Sequence, residues 1–217
     1  MTDEKFFEIT KFERDLAAKG VRIIAGLDEA GRGPLAGPVA AGCVIFASEG
    51  PFPRADDSKK LSEKQREKLY DEIATMAIGW GTGLADNNEI DGVNILNATY
   101  EAMRRALKAA TDNAKERLGR DIVPEILLVD HVKVPGISIP QLSITHGDAL
   151  SVTIGSASIM AKVTRDRLMD EYDEIYPGYG FAKHKGYGTK AHYEAIKELG
   201  ISPIHRRSFL KNLSDHI

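Results

Sequence analysis

The order of apolar and polar positions divides the chain into alternating helical and strand-like stretches. Across residues 1–20, Phe6, Ile9, Phe12 and Leu16 recur near helical spacing and predict an amphipathic helix packed on the core. Residues 21–27 and 39–47 are apolar almost throughout, which reads as two buried strands joined by a glycine-rich loop. Beyond a proline-rich passage, Ser62 and Gln65 form a capping box that opens a helix to about residue 75. Residues 76–84 predict a third strand, interrupted by glycine. A long helix follows over 94–117, with Leu96, Tyr100, Met103, Leu107 and Ala110 on one face. Residues 125–129 predict a fourth strand with Asp130 at its tip, and 138–144 a fifth. Helices over 152–172 and 189–199 flank an aromatic, glycine-rich loop at 176–188, and a tail at 203–209 closes the pattern. No repeat, linker or low-complexity segment interrupts this order, so the expectation is one α/β domain over 1–217.

Composition changes the picture little. A chain of 217 residues with 42% hydrophobic content has room for one domain with a sizeable core. No apolar run approaches membrane-spanning length and the acidic N-terminus lacks a signal-peptide pattern, so the expectation is a cytoplasmic protein away from membranes. The single cysteine, Cys43, sits in an apolar run and reads as a buried structural thiol. A net charge of −3 does not advertise a nucleic-acid binder, but its distribution is uneven. Over about 176–217, Lys183, Lys185, Lys190, Lys197, Arg206, Arg207 and Lys211 face only Glu194 and Glu198 before Lys211. Such a basic C-terminal part suits a grip on phosphates, and it equally suits a solvated charged face.

The candidate chemistry begins in the loop between the first two strands, Gly26-Leu27-Asp28-Glu29-Ala30-Gly31-Arg32-Gly33-Pro34-Leu35-Ala36-Gly37-Pro38-Val39. Side chains alternate faces along a strand, so Asp28 and Glu29 share one site only where the strand ends or bends. Gly31 and Gly33 permit a bend and leave backbone N–H groups unshielded. An acid pair beside exposed amides suits a metal ion next to a phosphate, although a plain turn would also begin this way. Asp28, Glu29, Asp130 and Asp148 all fall at element ends or in glycine-containing turns, where distant parts of a chain converge. All four are hard oxygen donors and no Cys or His cluster has zinc spacing, so Mg²⁺ or Mn²⁺ fits. Two such ions, roughly 3.5–4 Å apart, serve phosphodiester hydrolysis. Asp148 alone could equally cap the helix that follows. The chain has neither a Gly-x-Ser-x-Gly elbow nor a P-loop.

The string around Asp28 resembles the signature of the type 2 ribonucleases H, the bacterial ribonuclease HII family in particular. The resemblance extends to Asp57-Ser58-Lys59, Val129-Asp130, Gly147-Asp148, Ala157 through Asp166, His184 through Thr189 and Pro203-Ile204-His205-Arg206. It implies a ribonuclease H-like mixed five-stranded sheet flanked by helices, with a small helical C-terminal part. The implied reaction is metal-dependent endonucleolytic hydrolysis of RNA in RNA–DNA hybrids, and cutting 5′ of a single ribonucleotide in duplex DNA. The ends left are 3′-hydroxyl and 5′-phosphate. By the same likeness Asp28, Glu29, Asp130 and Asp148 are the metal-binding acids, Gly31-Arg32-Gly33 reads the ribose 2′-hydroxyl, and Tyr187 packs on the neighbouring sugar. Lys59, Lys162, Arg165 and Lys185 are candidate substrate contacts, with ion pairs to Asp166 or Asp170 the alternative for Lys162 and Arg165; Asp166, mid-helix beside Arg165 and Arg167, reads as a member of a structural ion pair. His131 and His146 stand where many members carry glycine and lysine, which affects local charge but leaves the acids in place. The expected partners are the hybrid and ribonucleotide-containing duplex DNA, with no obligate protein partner. A type 3 ribonuclease H is the competing enzyme, disfavoured by the twenty residues before the first strand. A non-catalytic hybrid-binding module is the other alternative, disfavoured by the four acids.

Overall fold

The apolar runs on either side of the glycine loop become the centre of a sheet. In a computed structural model of the chain, whose described residues are 1–55 and 61–211, β1 (Ile23–Ala30) and β2 (Val39–Ala47) pair antiparallel from Ile23↔Ala47 to Ala30↔Ala40. β3 (Gly79–Ala85) adds antiparallel to β2, while β4 (Ile126–Asp130) lies parallel to β1 and β5 (Gln141–Ile144) parallel to β4. The order β3-β2-β1-β4-β5 is the expected mixed five-stranded sheet.

Helices cover both faces, which explains why β1 and β2 read as continuous apolar runs. Odd-numbered residues of β1 and β2, among them Ala25, Leu27, Cys43 and Ile45, pack with Ala98, Ala102, Ala106 and Ala110 of α4 (Asn87–Leu118). Gly81 on β3 lets α4 approach so closely that a Cβ there would lie 2.4 Å from the Ala110 backbone nitrogen. Even-numbered residues Ile24, Val44 and Phe46 face Ile154, Ala157 and Met160 of α6 (Val152–Ile175). That second core also takes Ile9 of α1 (Asp3–Ile9), Leu16 of α2 (Lys11–Ala17) and Ile73 of α3 (Glu63–Met76). Cys43 is a fully buried free thiol, as expected.

The remaining helices are α5 (Gly147–Leu150), α7 (Phe181–His184) and α8 (Lys190–Leu199), followed by a 3₁₀ turn at Arg207–Phe209. A small third core, built on Phe181, Met169, Ala195 and Ile204, seats this C-terminal part on the end of α6. It is stitched to the glycine loop by backbone bonds from Leu35 to the Gly186 carbonyl (2.8 Å) and from Arg206 to the Leu35 carbonyl (2.8 Å). Among the described residues no helix is long and apolar enough to cross a membrane.

Three expectations shift. The N-terminal helix is two helices, broken at Thr10, whose hydroxyl bonds back to the Phe6 carbonyl at 3.0 Å. The long helix begins earlier than residue 94, at a capping box of Asp86 and Glu89. Within it Asn94 departs from helical geometry (φ 68°, ψ 164°), and its side chain accepts the Asn97 N–H at 3.1 Å, capping the portion that follows. The loop at 176–188 contains one short helix, α7. The capping box of Ser62 and Gln65 forms as expected at the start of α3.

Candidate active site

The register of the sheet brings the acids together. β4 pairs with β1 up to Leu27↔Val129 and stops, so the next residues, Asp28 and Asp130, sit level on neighbouring strands. Leu27 and Val129 both face α4, hence Asp28 and Asp130 face α6 by strand alternation. The strand does not end at Asp28, contrary to one expectation. It stays paired with β2 through Ala30 but has lost its β4 neighbour, and Asp28 and Glu29 both line one cavity of about 400 Å³. Asp130 accepts the Gly147 N–H at 2.7 Å, which ties the tip of β4 to the α5 turn carrying Asp148. Asp148 lines the same cavity. It does not cap α6, because Ser151 holds that position and accepts the Ile154 N–H at 3.2 Å.

This crowding has an electrostatic cost. Burial first, then the charge of Glu29 and to a lesser degree Asp130, hold the Asp28 carboxyl well above the usual carboxylate range, against hydrogen bonds from Ser158 and the Glu29 N–H. Glu29 is raised as well, chiefly by burial, while Arg32 beside it pulls the other way. Among the described residues no three acidic, His or Cys side chains are already drawn together as a metal cage. Asp28 and Glu29 instead engage the donors nearest them: Asp28 Oδ1 the Glu29 N–H at 2.8 Å, and Glu29 Oε1 the Arg32 guanidinium at 3.2 Å.

The glycine loop is held from beneath by two buried arginines. Gly31 has φ of 89°, and a Cβ on it would lie 2.0 Å from Arg165 Nε, so no other residue fits. Arg165 donates to the carbonyls of Pro38 (2.9 Å), Ala36 (3.1 Å) and Lys185 (2.9 Å). Arg206 donates to those of Gly31 (2.6 Å), Arg32 (2.9 Å) and Gly37 (2.8 Å). Both arginines are shielded from solvent, and burial lowers them to about 10 and about 9, so each stays charged at neutral pH. Tyr187 is 46% exposed at the cavity, with its ring beside Gly33.

The expected basic contacts lie in different surroundings. Arg165 reaches the cavity wall, and each of its three guanidinium nitrogens donates to a backbone carbonyl, which ties it to the glycine loop and its neighbours. Lys162 lines the cavity and bonds Asp166 at 2.6 Å; Asp166 also faces Arg66 at 3.6 Å, so it is the structural ion-pair residue expected, with these two as its salt-bridge partners. Lys185 pairs with Asp170. Arg206, counted above as part of a basic surface, is wholly buried. Lys59 lies outside the described residues. Sequence reasoning missed Arg66 and Ser158 at the cavity. Ser158 fell within a matched string, whereas nothing in the pattern of α3 marks Arg66.

Comparison with known proteins places the sequence and the fold. The family described as Ribonuclease HII matches residues 25–212. A protein named Ribonuclease HII from Clostridioides difficile (strain 630) is 50% identical over 211 residues, covering 97% of this chain and 79% of that protein. Among solved structures, the ribonuclease H2 from Pyrococcus horikoshii OT3 superposes with a TM-score of 0.69 at 26% identity, over 89% of this chain and 97% of that one. Bst-RNase HIII in complex with Mn²⁺ shares the fold, with a TM-score of 0.62 at 16% identity, over 89% of this chain and 67% of that one.

Proposed function

Because this chain belongs to the ribonuclease HII family and is a ribonuclease H, we propose that 1–217 works in the cytosol as one catalytic unit that hydrolyses RNA in RNA–DNA hybrids. It also cuts 5′ of a single ribonucleotide in duplex DNA, leaving 3′-hydroxyl and 5′-phosphate ends. The observation that carries this reading is the convergence of four acids, the glycine loop and an exposed tyrosine on one cavity.

Asp28, Glu29, Asp130 and Asp148 would hold Mg²⁺ or Mn²⁺. The donor set fits: it is all carboxylate oxygen, and the like charges that strain Asp28 and Glu29 are those a divalent cation relieves. The ions supply activation of the attacking water and charge to stabilise the leaving oxygen. The protein's own residues supply the selection of substrate. Arg206 fixes the carbonyls of Gly31 and Arg32, each of which keeps a second lone pair to accept from a 2′-hydroxyl. That hydroxyl is the group that distinguishes RNA from DNA at a given position. Tyr187 offers an exposed ring face for the adjoining sugar. Lys162 and Arg66 place positive charge on the α6 and α3 side of the cavity, where the phosphates flanking the cut would lie.

The test is a duplex with one embedded ribonucleotide, incubated in Mn²⁺ with wild type and with Asp130→Asn. Wild type yields a 3′-hydroxyl product ending just 5′ of the ribonucleotide, and Asp130→Asn yields none while retaining its circular dichroism spectrum. A cut on the 3′ side, or a folded Asp130→Asn protein with near wild-type turnover, overturns the assignment.

A further inference from the structure

The two parts assigned to ribose recognition, Gly31–Gly33 and Tyr187, are far apart in sequence, and the dipeptide His205-Arg206 bonds towards both. Arg206 holds the loop directly, as described. His205 reaches Tyr187 through a second histidine. Its Nδ1 accepts the Ser202 N–H at 2.9 Å, and its Nε2 lies 3.0 Å from His192 Nε2. His192 Nδ1 lies 2.9 Å from the Tyr187 carbonyl oxygen.

The end groups of this chain have fixed roles. A backbone N–H only donates and a carbonyl only accepts. His205 is therefore bare at Nδ1 and protonated at Nε2, while His192 is bare at Nε2 and protonated at Nδ1. Every ring nitrogen is then satisfied and both rings are neutral. Burial supports this, lowering both histidines to about 4. The neighbouring His184 is stacked 4.3 Å from His192 and has its own assignment, accepting the Gly186 N–H and donating to the Tyr179 carbonyl. Phe181 packs against all three rings, at centroid distances of 5.5–5.9 Å.

We propose that His205 and His192 form a tautomer-locked relay that sets Tyr187 against the glycine loop, making them positioning residues for discrimination of an isolated ribose. The proposal rests on the reading that Tyr187 contacts the sugar. Tyr187 is exposed, so its ring is aimed by its backbone more than by packing around it. Its carbonyl accepts from both the Thr189 N–H and His192. Without a donor at position 205, His192 Nε2 loses its partner. Protonating that nitrogen instead would turn the Nδ1 lone pair onto the Tyr187 carbonyl, and two acceptors repel. A change at position 205 is thus felt at position 187. Arg206 anchors the other half of the recognition surface from the next residue, so the spacing between halves is set within one dipeptide.

The experiment compares kcat/KM on a duplex with one ribonucleotide and on a continuous RNA–DNA hybrid. His205→Phe keeps a ring but removes the donor, whereas His205→Gln retains an amide N–H near the Nε2 position. His205→Phe should depress the single-ribonucleotide reaction about tenfold more than the hybrid reaction, a differential of about 1.4 kcal/mol, and His205→Gln should recover most of that ratio. Tyr187→Ala should shift the same ratio, and adding His205→Phe to it should change the ratio no further. If Tyr187→Ala leaves the ratio unchanged, the ribose reading itself fails. If Tyr187→Ala shifts it while His205→Phe lowers both substrates equally, the reading stands and the relay is overturned. Nitrogen NMR of the histidines in wild type decides the tautomers without any variant: His192 protonated at Nε2, or either imidazole charged at neutral pH, overturns the relay.

Discussion

Asp28 carries the clearest electrostatic strain of any single residue in the proposed metal site. Its carboxyl is buried beside like charges, and its Oδ1 accepts a hydrogen bond that an asparagine also accepts. Asp28→Asn should lower the cleavage rate by about a thousandfold or more, the loss of several kcal/mol expected when metal assistance goes. The same variant should unfold at a higher temperature, by about 2–4 °C for each kcal/mol of relieved repulsion in a chain of this size. Single-turnover rates and thermal melts measure the two effects. Glu13 of α2 carries a different signature. It is wholly buried, accepts from the Ser151 hydroxyl (2.6 Å) and the Thr153 N–H (3.1 Å), and burial raises its pKa. A raised carboxyl holds its proton more tightly in the folded state, so its stabilising contribution is full in acid and is lost as pH rises through that raised value. Glu13→Gln keeps the acceptor without the titration. Its stability relative to wild type should therefore grow as pH rises above the ordinary carboxyl range, and parallel pH–stability curves would refute this. The glycines, Asp28 and Glu29 stood out in sequence through the family signature they form, since the string alone would equally begin a plain turn. Glu13 did not, because only folding reveals that its neighbours come from the start of α6.

At the scale of elements, caps and breaks decide more than propensity does. The boundary expected at residue 94 is real, but it lies inside α4 as a kink whose forward part Asn94 caps. The Asp86 and Glu89 box that starts the helix earlier is visible in the sequence. The Gly92 and Asn94 that follow interrupt the periodicity and obscure the first two turns. Asn94 combines a cap with a backbone geometry that glycine adopts freely and alanine does not. Asn94→Ala should cost about 1 kcal/mol from the lost cap, because both residues carry a Cβ through the same strained geometry. Asn94→Gly should cost only a fraction of that, and urea unfolding of the two variants separates strain from capping. His131 and His146 make the same point: both have φ of 59°, a turn geometry that glycine favours.

For the whole molecule, the relevant quantity is how charge is distributed after folding. The C-terminal part has exposed Lys183, Lys197, Arg207 and Lys211, while Arg206 is buried and Lys185 is paired with Asp170. If about four phosphates are neutralised, binding of the hybrid should weaken with salt at a log–log slope of about −3.6. Arg207→Ala should reduce that slope by about one, and Arg206→Lys should leave it unchanged while impairing cleavage, since its guanidinium holds the loop. Titrations of the inactive Asp130→Asn protein against KCl measure the first, and kinetics the second. A slope altered equally by both variants would mean that burial of Arg206 does not remove it from the electrostatic surface.

The sequence by itself determined the type and order of most elements and offered the candidate acids, because apolar periodicity, capping boxes and glycine placement are local and act wherever the chain goes. It also carried the family, through motifs spread over most of its length. Tertiary structure alone decided which charges stay at the surface. Lys185, Arg165 and Arg206 look alike in a string of letters, but burial and backbone carbonyl partners convert the two arginines from surface cations into internal struts. It also decided that Asp28 and Asp130 sit level, since the register of two parallel strands separated by a hundred residues is set by the core they share, not by either strand alone.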